Sequence, residues 1–125
     1  MSAPNIVNVT TITGITTYKT LTGNTETVFL NAPASTNEVI KVNNVIIANT
    51  TSTSVNATVS YRTAAAGGGT AFKIANSTPI SAYSTLVLID KSSSIYLEEN
   101  TSLTATSSSV SGLLDIICSY EEISW

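Results

Sequence analysis

The stretch Val55-Asn56-Ala57-Thr58-Val59-Ser60-Tyr61-Arg62 decides the fold. Its apolar residues fall on the odd positions and its polar ones on the even, the period-two pattern of a strand with one face on a core and one in water. Leu114, Ile116, Cys118 and Tyr120 repeat the pattern, with Asp115 and Ser119 on the opposite face. Short segments rich in Thr, Val, Ile and Tyr, whose branched and aromatic side chains suit a pleated surface, predict further strands. These span residues 5–12, 15–21, 26–31, 38–48, 70–75, 85–91 and 101–106. No stretch of a dozen residues places apolar side chains at helical spacing.

Turn-forming residues separate the strands: Gly14, Gly23-Asn24, residues 31–37 around Pro33, residues 49–54, Gly67-Gly68-Gly69 and residues 79–84. About nine short strands without helices predict an all-β fold, a single antiparallel β-sandwich of jelly-roll type. An immunoglobulin-like sandwich is less favoured, because the paired cysteines and core tryptophan are missing. Residues 1–20 are Thr-rich and weakly apolar and read as an N-terminal arm or edge strand, leaving residues 21–125 as the sandwich domain. No repeat of fixed period indicates a solenoid or propeller.

Composition bounds the function. The 125 residues suit one domain with one core. Ser and Thr make up roughly three residues in ten, and charged residues only 10%, against an ordinary ~25%. The apolar content of 42% and the runs Val45-Ile46-Ile47 and Leu86-Val87-Leu88-Ile89 provide a core, in which Leu86, Leu88, Ile116 and Cys118 are expected to lie. A net charge of -3, with four Lys and one Arg scattered along the chain, gives no basic stripe, so no nucleic-acid partner is expected. No apolar run approaches the ~18 residues of a bilayer span, and the opening residues lack the pattern of a secretion signal. The reading is a protein made in a cytoplasm, without a membrane partner.

Catalytic chemistry finds few footholds. The chain has no histidine, the commonest general base and metal ligand, and one cysteine, so Ser-His, Cys-His and zinc chemistry are not expected. Cys118 sits in the apolar segment Leu113-Leu114-Asp115-Ile116-Ile117-Cys118 and reads as a small buried hydrophobe. Gly67-Gly68-Gly69 lacks the Lys and helix of a phosphate loop and reads as a flexible hairpin tip. Glu98-Glu99 and Glu121-Glu122 are adjacent pairs that a strand splits between its faces. A calcium site from Asp90, Glu98, Glu99 and loop carbonyls is a minor alternative. The Asn-x-Ser/Thr triplets at Asn8, Asn49, Asn56, Asn76 and Asn100 are expected by chance in so Thr-rich a chain. Tyr18, Tyr61, Tyr83, Tyr96, Tyr120 and Trp125 suit sheet packing better than a sugar-binding surface. The expectation is a non-enzyme with no catalytic residue, no cofactor and no metal.

Four segments carry a resemblance. Residues 1–14 (MSAPNIVNVTTITG), Lys41-Val42-Asn43-Asn44-Val45-Ile46-Ile47-Ala48-Asn49, Ile95-Tyr96-Leu97-Glu98-Glu99-Asn100 and Cys118-Ser119-Tyr120-Glu121-Glu122-Ile123-Ser124 resemble small virion structural proteins of tailed phages infecting cyanobacteria or other marine bacteria. The resemblance spans nearly the whole chain, and its motifs are structural punctuation. Where such proteins carry a Gly-Asp turn after Leu-Glu-Glu, this chain has Asn100-Thr101, which keeps a turn. The resemblance implies a bacteriophage virion component assembled in the host cytoplasm in many copies. The leading expectation is a capsid decoration or cement protein, bound to the major capsid protein or other virion proteins and itself a homo-oligomer, dimer or trimer. A tail, baseplate or fibre-attachment component is the alternative, followed by a carbohydrate-binding module contacting the host surface.

Overall fold

The computed structural model describes residues 7–21, 23–33, 36–108 and 113–125. Among these residues nine strands follow in order: β1 Thr11–Leu21, β2 Thr27–Leu30, β3 Glu38–Asn49, β4 Val55–Arg62, β5 Ala71–Ile80, β6 Thr85–Ile89, β7 Ile95–Leu97, β8 Ser102–Ser107 and β9 Leu114–Ser124. The larger sheet runs β1-β9-β3-β6, with β7 also paired to β3; the smaller runs β2-β8-β4-β5. All pairings are antiparallel. The chain alternates between sheets at almost every step, so that first and last strands become neighbours. This is the jelly-roll sandwich that the alternating segments predict.

The core lies between the sheets. Leu114, Ile116 and Cys118 of β9 interlock with Val42, Val45 and Ile47 of β3 on one side and with Val55, Ala57, Val59, Leu103 and Ala105 of the smaller sheet on the other. Each of these side chains is at most 2% exposed, and burial of each larger one contributes on the order of 1.5–3 kcal/mol. Val39 and Ile123, register partners, are also buried but stand outside this cluster.

Several expectations need correction. Gly14 is not a turn: it lies within β1, opposite Glu121, because β9 offers eleven consecutive partners in unbroken register. Residues 11–20 thus belong to an edge strand, while residues 1–6, which include the start of the strand expected at 5–12, lie outside the described residues. β5 continues through Pro79, which is tolerated because β5 is an outer strand with nothing to bond on one side. Leu86 and Leu88 are only half-buried at the rim of the core. The register between β3 and β6 slips after Val45, so Ile89 takes the central position facing Val45.

Asn49 fastens one end of the sandwich. It is 2% exposed; its Nδ2 donates to the carbonyls of Thr53 (2.8 Å) and Ile80 (2.9 Å). Its Oδ1 accepts from the backbone N–H (2.9 Å) and hydroxyl (2.7 Å) of Thr51. One buried amide therefore satisfies the loop after β3 and the end of β5 together.

Candidate interaction surface

The outer face of the larger sheet carries apolar residues where a solvated sheet would carry polar ones. Tyr18 of β1 is the register partner of Ile117, Ile117 of Ile46 on β3, and Ile46 of Val87 on β6. Register partners share a face, so the four side chains form one row across four strands. Tyr18 is 78% exposed, Val87 56% and Ile117 42%. Hydroxyls flank the row: Thr16 and Ser119 lie 3.2 Å apart, and the Thr20 hydroxyl donates to Asp115 at 2.8 Å. A shallow depression beside the row is lined by Tyr18, Lys19, Thr20, Asp115, Ile116 and Ile117. Such a row, apolar with a polar border, suits contact with another protein surface.

The outer face of the smaller sheet is covered by the chain's own loop. Residues 63–70 connect β4 to β5 and fold back over β8. Ser102 accepts from the N–H of Gly67 (3.1 Å) and donates to the Ala64 carbonyl (2.9 Å). Asn100 and Asn31 accept from the N–H groups of Ala65 and Ala66. Ser60, Ser102 and Thr104, though on the outward side, are at most 2% exposed: the loop covers Ser102, the Glu26 carboxylate accepts from the Thr104 hydroxyl, and the Lys73 ammonium reaches Ser60. Gly69 has φ +68°, and a Cβ there would lie 2.4 Å from the Thr63 hydroxyl, so only glycine fits. The expected flexible tip is thus a loop held at four points. Arg62 adds a bidentate clamp on Glu26, with Nε 2.9 Å from Oε2. The Arg62 guanidinium and then the Thr104 hydroxyl hold the Glu26 carboxyl below its ordinary range.

The groups weighed for chemistry are dispersed. Burial pushes the Cys118 thiol up to about 12, the mark of an inert core cysteine. Glu98 and Glu99 line an open hollow with Thr63, Asn100 and Thr101. Asp90 caps a short 3-10 turn instead, accepting from Ser92. Among the described residues no group of three or more His, Cys, Asp or Glu is placed to hold a metal ion. Tyr18, Tyr83 and Tyr96 are exposed on different elements and no two are register partners, while Tyr61 and Tyr120 pack against the core. Trp125 is half-buried, its N–H donating to the Asn37 carbonyl.

The runs that hold Ile46 and Val87 were expected to provide the core, but these two residues and Ile117 face outward, and a signal for this existed. Each is the middle of an unbroken apolar triplet, and a strand cannot send three consecutive side chains to one face.

No family model and no curated protein matches the chain. Among solved structures, a chain of Bacillus endospore appendages, described as a novel family of disulfide-linked pili, superposes with a TM-score of 0.55. The alignment covers 99% of this chain and 96% of that one at 12% identity. The likeness is one of fold alone, over almost the full length of both chains.

Proposed function

We propose that this protein is a non-enzymatic building block of a many-copy assembly, a decoration or cement protein on a phage capsid. The observation that carries the assembly reading is the outward row Tyr18–Ile117–Ile46–Val87, apolar surface placed where only a neighbouring protein would dehydrate it. The resemblance of the chain's four segments to phage virion proteins supports the capsid setting. Within the virion, a tail or baseplate position is the alternative location.

A second reading, an appendage or fibre subunit, is favoured by the near-complete overlap with the Bacillus appendage chain. The described mode of that family, linkage by disulfides, does not carry over through Cys118, which is 1% exposed between the sheets. Assembly here would rest on non-covalent contacts.

The test is quantitative mass spectrometry of purified particles from the producing cells. Hundreds of copies per particle support the shell and a few dozen the tail; absence from particles sinks the virion reading. Replacing Tyr18 and Val87 together by Ser should leave the melting temperature nearly unchanged and lower incorporation.

A further inference from the structure

Outer strands differ sharply in how they are guarded against pairing. β2 has four residues and a register shift, and β6 has five residues with a shift in its pairing. β5 contains Pro79, a left-handed Ser77 (φ 49°) and two shifts. β1 has none of these devices: eleven residues in continuous register, no proline, and Lys19 as its single charge. Among the described residues it pairs with β9 alone, and its other edge carries no strand. A long, regular edge with so little charge is a template for another strand.

We infer that β1 pairs antiparallel with β1 of a second copy about a two-fold axis at Thr16. The strand is self-complementary in that register. Thr16 faces its own counterpart, Lys19 faces Thr13 of the second copy rather than another cation, and Gly14 faces Tyr18. A Cβ built on Gly14 meets nothing within 4 Å, so its outward side is open. Tyr18, on the same outward side and 78% exposed, fills that opening from the second copy, as aromatic side chains cover glycines in paired strands. Because the register pairs even with even positions, both copies keep the same face outward. The two apolar rows then share one face of a joined sheet with five strands from each copy. The inference deepens the assembly reading, and rests on it for its biological setting but not for its test.

The test uses the full-length protein in solution, with Thr16→Cys and, separately, Thr20→Cys as control. Both threonines are exposed and make one side-chain hydrogen bond each. In the two-fold register the Thr16 Cα atoms lie ~4.5–5.5 Å apart, within disulfide reach, whereas those of Thr20 are eight residues out of step, roughly 27 Å. On mild oxidation with diamide, Thr16→Cys should form covalent dimer roughly tenfold faster or more than Thr20→Cys. Adding Thr13→Lys, which sets a cation opposite Lys19 of the second copy at both ends of the pairing, should bring the Thr16→Cys rate down to the control. Circular dichroism verifies that each variant is folded. Equal rates at positions 16 and 20, or capture at neither, overturns the pairing; so does a Thr13→Lys variant that cross-links as fast as its parent. Failure to find the protein in particles would defeat the proposed function and leave this result standing.

Discussion

The Asn49 side chain bridges two loops by donating to the Ile80 carbonyl at 2.9 Å, thirty-one residues away in sequence. Its four hydrogen bonds are made in a site with 2% exposure. Asn49→Ala strands the Thr51 N–H and weakens the hold on the Thr53 and Ile80 carbonyls, which keep only the Thr51 and Ser54 hydroxyls as donors, so it should cost about 1–3 kcal/mol in urea denaturation. A cost near zero would show that solvent replaces the amide there. Although Asn49-Thr50-Thr51 reads as a glycan acceptor, both amide hydrogens are committed, and no glycan can be attached without opening this end of the sandwich.

Cys118 should be silent in the folded protein. Its burial between β9, β3 and the smaller sheet keeps the thiol protonated and out of reach. Labelling with a thiol-reactive dye at pH 8 should go no faster than global unfolding and become immediate in denaturant. Assemblies should survive reducing agent unchanged; dissociation by dithiothreitol would place Cys118 in an intersubunit bond and refute its core position.

The clamp between Glu26 and Arg62 predicts a defined acid response. The folded carboxyl titrates below its ordinary 4.5, chiefly through the hydrogen bond from Arg62. Its contribution is therefore full above that ordinary value and lost as pH falls through the lower folded one. Melting temperature should drop as pH falls below that ordinary 4.5, and Glu26→Gln should flatten that part of the curve while lowering stability at pH 7. Both groups are partly exposed, so the effect is modest and weakens with salt.

Truncations in the core should divide by position. Ile116→Ala removes a side chain that is 1% exposed at the centre of the sandwich and should cost about 2–5 kcal/mol. Leu86→Ala, at the half-buried rim, should cost about 1 kcal/mol. Thermal denaturation of the two variants side by side checks the order, and a reversal would mean that β6 sits deeper than its register indicates.

Much of the fold was legible because alternation is written residue by residue. Val55 to Tyr61 and Leu114 to Tyr120 place their odd or even side chains in the core as their spelling requires. Long-range registry was not legible. Gly14 looks like a break because glycine weakens an isolated strand, but eleven partners on β9 override that local preference. Leu88 yields its place to Ile89 through a bulge that no local pattern announces. The loop at residues 63–70 depends on acceptors from Asn31, Asn100 and Ser102, distant residues brought together only by the fold. The outward row was half visible: apolar triplets imply apolar surface on both faces, but whether their exposed members line up depends on registers across four strands.

The place of β9 between β1 and β3 sets the timing of folding. Thr11 pairs with Ser124 and Glu38 with the same residue, so the larger sheet is joined along its middle by a stretch synthesised after both of its neighbours. While residues 114–124 remain inside the ribosome, β1 has no neighbour in its sheet and β3 lacks its longest one. The nascent chain must then keep its apolar triplets apart until the closing segment emerges. Contacts of such sequence separation make folding slow and all-or-none. The sparse charge of the chain gives such waiting molecules little mutual repulsion, and premature pairing between unfinished chains is the hazard.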